Sequence, residues 1–112
     1  MIATKVSLDC DGIRDWQSFH EPFASAFGFP DFYGKNMNAW IDCLTCLDDP
    51  DAGMTNVHCS PGSVMVLELL KVEPFRERCA DQYNAVIECT AFVNWRRIET
   101  EQPAVLALSF WK

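Results

Sequence analysis

One stretch limits the architecture more than any other: Val64-Met65-Val66-Leu67-Glu68-Leu69-Leu70 is apolar at every position but Glu68. A strand with one solvated face alternates apolar and polar residues, so a run of this kind suits a strand whose two faces are both covered by helices. Strand-like segments bracket it. Ile2, Thr4, Val6 and Leu8 alternate with Ala3, Lys5 and Ser7, and Asp9 to Gly12 closes that segment with turn formers. Val105 to Trp111, after Pro103, reads as the last strand.

Between these segments the periodicity is helical. Trp16, Phe19, Phe23 and Phe27 recur at three- and four-residue spacing, which places one helical face on the sheet. Pro22 interrupts this pattern, because it lacks an amide donor and crowds the carbonyl of Ser18. The helix either begins at Asp15 and kinks, or begins near Ser18, where Ser18 and Glu21 have capping-box spacing. A short turn from Asp15 leading into a helix that ends at Gly28 fits best. Asn36 is suited to cap the next helix, residues 37 to 46, with Met37, Trp40, Ile41 and Leu44 as its inward stripe. Asn38 and Asp42 lie together away from that stripe. Leu47 to Gly62, rich in aspartate, proline and glycine, reads as an irregular excursion, longer than a minimal fold needs and a place where function could be added.

After the apolar run, Pro74 to Cys79 suits a short helix with its proline in the first turn. Asp81 is placed to cap a longer one, with Tyr83, Val86, Ile87, Thr90, Phe92 and Val93 as its buried face. Arg96-Arg97 complements a helix C-terminus, while Trp95 fits core or surface equally. The order strand, two helices, strand, two helices, strand predicts an α/β fold: a three-stranded parallel sheet packed with about four helices, in one domain spanning residues 1–112. No glycine-rich loop follows any strand, so there is no device for holding a nucleotide phosphate.

With 9 basic and 16 acidic residues the net charge is −7, which repels phosphate backbones and argues against direct nucleic-acid binding. The same field draws cationic partners. Met1 to Lys5 shows no basic segment followed by an apolar run, and no stretch approaches the roughly 18 apolar residues of a membrane span. Neither a cleaved signal nor membrane embedding is expected. Cysteines at 10, 43, 46, 59, 79 and 89 are expected as free thiols in a reducing cytoplasm, given an acidic and core-rich composition.

The stretch Phe-Pro-Asp-Phe-Tyr-Gly-Lys-Asn-Met-Asn-Ala-Trp-Ile-Asp-Cys-Leu-Thr at 29 to 45 resembles the aromatic loop and second helix of the barstar family, small cytoplasmic inhibitors of a secreted bacterial ribonuclease. The coarse topology agrees over nearly the whole chain, with the excursion and the first helix differing in length. In the family's inhibitor, two aspartates four apart on this helix enter the enzyme's cationic cleft. Aromatic loop residues and an acidic residue on the last long helix assist them. Here the second aspartate matches Asp42 and the first matches Asn38; the loop tyrosines match Phe32 and Tyr33, and the helix tryptophan falls at Ile41. The acidic residue has no secure match, with Asn94 the candidate near the expected place. The resemblance implies inhibition of a cationic protein, a secreted or toxin-type nuclease, with partner contacts at Phe32, Tyr33, Lys35, Asn36, Asn38, Ile41 and Asp42. Asp31, Lys35, Asn36 and Asp48 would form the rim. Phe32 also fits the core, and Asn36 has a competing role as a helix cap. The amide at 38 discards the electrostatic share of a charged hydrogen bond, which leaves a different target open, including a non-nuclease partner of an immunity or regulatory protein.

Other chemistry is thinly represented. Cys43-Leu44-Thr45-Cys46 has the spacing of a redox pair or half a zinc site, but it lies towards a helix end, where the dipole does not favour a thiolate. His58-Cys59 is the only adjacent source of further zinc ligands. His20 has no serine or acidic partner at a recognised spacing and suits a satisfied core or boundary position. No convergent acid, base and nucleophile set is visible, so no enzyme activity, metal or cofactor is expected.

Overall fold

A computed structural model describes residues 4–112, and Ile2, assigned above to the first strand, lies outside the described residues. β1 (Thr4–Asp9), β2 (Met65–Leu70) and β3 (Leu106–Phe110) form a parallel sheet in the order β1-β2-β3. Two helices fill each crossover: α1 (Trp16–Phe27) and α2 (Met37–Thr45), then α3 (Val72–Arg78) and α4 (Ala80–Glu99). This is the expected α/β plan.

The sheet corrects one expectation. Met65, Leu67 and Leu69 of the central strand are buried, but Val66, Glu68 and Leu70 are only partly so. The second face of the sheet mixes these apolar side chains with polar ones: Glu68 accepts a hydrogen bond from Ser7 Oγ at 2.9 Å and lies 3.6 Å from Lys5 Nζ. Strands in sequential order with crossovers of one hand put both helix pairs on the same side. Helices therefore cover one face of the sheet and water reaches the other.

α1 runs unbroken through Pro22, and its start is settled by Asp15. The Asp15 carboxylate accepts from Ser18 N at 2.9 Å, and Ser18 Oγ accepts from Asp15 N at 3.0 Å, a reciprocal capping box one turn earlier than the Ser18–Glu21 alternative. Phe19, Phe23 and Phe27 are fully buried, and their packing outweighs the roughly 3 kcal/mol an interior proline costs. The helix stops at Gly28 in the left-handed region, φ 69°. A Cβ there would collide with the Asn56 side chain, so the position requires glycine on two counts.

The 47–62 excursion is irregular as expected, with one 3₁₀ turn at Pro50–Ala52. Asn56 N donates to Phe27 O at 2.8 Å and Cys59 N to Leu47 O at 3.0 Å, which stitches it to the ends of α1 and α2. α3 carries Pro74 in its first turn and is tied to the turn after β1 by Arg78, whose guanidinium donates to Ile13 O and Cys10 O, each at 2.9 Å.

α4 starts earlier than predicted. Cys79 is its N-cap, and Asp81 sits in the first turn, where its charge complements the helix dipole without capping. Its deepest stripe is Gln82, Val86, Thr90, Val93 and Arg97. Ile87 and Phe92, assigned to the core above, flank that stripe and are 38% and 50% exposed, while Trp95 resolves as a surface residue. Among the described residues no helix is long and apolar enough to cross a membrane.

Candidate functional site

The outer face of α2 is held in place by everything behind it. Asn36 Oδ1 accepts from Ala39 N at 2.8 Å, which fixes the first turn and commits that side chain to capping. Trp40, Ile41 and Leu44 then enter the core, and Asn38 and Asp42 are left one turn apart in solvent. Ile41, expected both in the inward stripe and at the partner surface, takes the first role: at 8% exposure it has little surface to offer. Trp40 is fully buried, so the aromatic bulk of this helix lies in the core and not at its rim.

The loop before α2 divides its aromatics. Phe32 is 77% exposed and so is not core. Tyr33 is half-buried between Phe29, at a centroid distance of 4.7 Å, and His20, and its hydroxyl lies 2.6 Å from His20 Nδ1. Burial, and then the Cys43 thiol, push the Tyr33 hydroxyl up, so it stays protonated. Tyr33 thus braces the loop, its hydroxyl already engaged, rather than standing free as an anchor. His20 is buried, within the core or boundary position expected of it, with Nδ1 engaged by Tyr33 and the neutral ring favoured by burial and then by the nearby Lys35 ammonium.

α4 reaches this face as well. Arg96 Nη1 donates to Asp42 Oδ1 at 2.8 Å, which places a cation directly beside the Asp42 carboxylate. Asn94, the earlier candidate, is turned away: its Oδ1 accepts from Val105 N and Leu106 N at 2.9 and 3.1 Å and its Nδ2 donates to Leu106 O, which pins the start of β3. Phe92, a turn before Arg96 on the same side of α4, adds a second exposed ring.

Asp48, expected at the rim, has a structural task. Its carboxylate takes a two-pronged hydrogen bond from Arg97, at 3.0 and 2.7 Å, and the same guanidinium donates to Thr45 O and Pro103 O. Arg97 is 3% exposed, so this pair locks the end of α2 to α4. The sequence held a signal for it: Arg97 continues the 82, 86, 90, 93 spacing, which puts it inside, whereas its neighbour Arg96 falls a helical step further round.

The resulting face carries Phe32, Phe92, Asn38, the paired Asp42 and Arg96, and the exposed Asp31 and Lys35. Its charge is nearly balanced although the chain is strongly acidic. The Cys43–Cys46 pair sits at the end of α2 as expected; burial and then the adjacent Asp42 push the Cys43 thiol up to about 11, and burial with Asp49 and Asp48 raises Cys46. Thiols held protonated are poor nucleophiles and poor metal ligands. Among the described residues no group of at least three histidine, cysteine or acidic side chains is gathered as a metal site.

A family model described as Barstar (barnase inhibitor) matches residues 3–107. No curated protein matches the chain.

Proposed function

The chain belongs to the Barstar family, and on that premise we propose that it binds a cationic nuclease of the secreted or toxin type in the cytoplasm and inhibits it by covering the active site. The family is one of inhibitors and not of enzymes. The observation that carries the proposal is the presentation of Asn38 and Asp42 in solvent on one helical turn, beside the exposed ring of Phe32, with the opposite side of α2 fixed in the core. A helix held this way loses little freedom on docking, so contacts made by its outer face are converted into affinity efficiently. Asp42 occupies the place of a substrate phosphate against the enzyme's cations, Asn38 contributes hydrogen bonds, and Phe32 closes the edge to water. Inhibition is steric and electrostatic.

The test is titration of the chain into barnase during RNA cleavage. Stoichiometric loss of cleavage supports the proposal, and unchanged cleavage at saturating excess contradicts it for that nuclease class.

The Asp42–Arg96 pair and the amide at 38 favour one second reading, an immunity or regulatory protein for a non-nuclease partner. Co-purification with identification of the bound protein separates the two, a cationic nuclease supporting the first and an acidic non-nuclease the second.

A further inference from the structure

Beside the outer face of α2, an open notch of about 400 Å³ lies between α1 and the start of α2, lined by Trp16, Gln17, His20 and Lys35, and it adjoins a smaller one bordered by Asn36 and Met37. Its chemistry is that of a donor site. Lys35 is the only lysine or arginine between Arg14 and Lys71, and none of the ion pairs among the described residues involves it. It is an exposed side chain on a backbone at φ 52°, a left-handed conformation that is strained for a lysine. In a chain of net charge −7, an unpaired cation on strained backbone at the edge of the candidate interface calls for a partner group.

His20 supplies the second donor. Where the Tyr33 hydroxyl donates across its 2.6 Å contact to His20 Nδ1, the one hydrogen bond it makes among the described residues, the neutral imidazole carries its ring proton on Nε2. The ring is 3% exposed and lines the notch, and Nε2–H has no acceptor among the described residues. The residues that line the notch, Trp16, Gln17, His20 and Lys35, include no carboxylate. Trp16 is 42% exposed and stacks on His20 at a centroid distance of 6.0 Å, forming an apolar wall with an indole N–H as a third donor.

We propose that this notch receives a carboxylate side chain of the partner protein, held by Lys35 and His20 Nε2–H against the Trp16 wall. The inhibitor's footprint then extends from α2 onto α1, and the target carries a glutamate or aspartate at the edge of its cationic cleft. This rests on the inhibitor reading for its biological meaning, but not for its test. A lysine–carboxylate contact reinforced by a neutral donor discriminates an acid from its amide, because the amide lacks the charge and presents donors of its own to donors.

The probe is N-acetyl-glutamyl amide, titrated into the isotopically labelled chain and followed by NMR at the His20 ring, the Trp16 indole and the Lys35 ammonium. The expected result is a saturable shift at all three with a dissociation constant in the millimolar range, absent with the glutamine analogue. Lys35→Gln, an exposed substitution, should weaken binding about tenfold. Equal response to the glutamine analogue, no response at these groups, or full retention in Lys35→Gln overturns the assignment. A stronger response to inorganic phosphate than to the carboxylate also overturns it, by making the notch a phosphate site. No nuclease is present in this experiment, so its outcome is independent of whether barnase is inhibited.

Discussion

His20 shows how much of the site is decided at single residues. Its ring joins α1 to the aromatic loop through Tyr33, and burial together with Lys35 keeps it neutral in the folded chain. The unfolded chain protonates this ring near the ordinary value of 6.5, and the folded chain only at lower pH. The stabilisation is complete above that value, falls as pH drops from it towards the folded pKa, and levels below that. Urea unfolding as a function of pH should therefore show a midpoint that declines on acidification through this window, and His20→Gln should flatten that decline. An unchanged slope in the variant would show that His20 is not the titrating group. The sequence revealed that His20 was a core or boundary residue, and that Asn36 was a cap, because both depend on neighbours close in the chain. It could not reveal that Tyr33 spends its hydroxyl on His20, or that Asn94 pins β3, because these partners meet only once the elements have packed.

At the scale of elements, the short-range signals were reliable and the choice among them was not. α2 and its Asn36 cap were legible to within a residue, since periodicity and cap coincide. For α1 the Pro22 break was overstated, because three buried phenylalanines hold the helix through it. α4 was misread at both its cap and its buried face, since Ile87 and Phe92 are as apolar as the residues that are buried and only the packing against α2 and β3 selects the stripe. The Arg97–Asp48 pair ties the chain just after α2 to α4. Asp48→Asn leaves a 3% exposed guanidinium without its counter-charge and should destabilise the fold by about 3 kcal/mol, read from chemical denaturation. A loss below about 1 kcal/mol, the ceiling for a surface pair, would contradict this role.

For the molecule as a whole, acidity and function are not the same thing. The chain carries a net charge of −7, yet the face proposed to dock is nearly balanced, with Arg96 shielding Asp42 and an amide at 38. On the proposed reading, long-range attraction to a cationic nuclease would come from the whole chain, while the close fit would depend on freeing Asp42 from Arg96. Arg96→Gln removes that competitor and should tighten binding to a cationic nuclease about tenfold or less, the effect shrinking as salt is added; weaker binding would show instead that Arg96 contacts the target. The parallel three-stranded plan was legible from the order of elements, but the solvated second face was not, because the apolar run of β2 conceals that both crossovers return on one side. The central claim is that the outer face of α2 is the inhibitory surface. It is tested most directly by the calorimetric affinity of Asp42→Ala and Asp51→Ala for a nuclease that the chain inhibits. A loss of about 2 kcal/mol or more at Asp42, with almost none at the exposed Asp51 of the excursion, is the expected result; equal small losses at the two positions would contradict it.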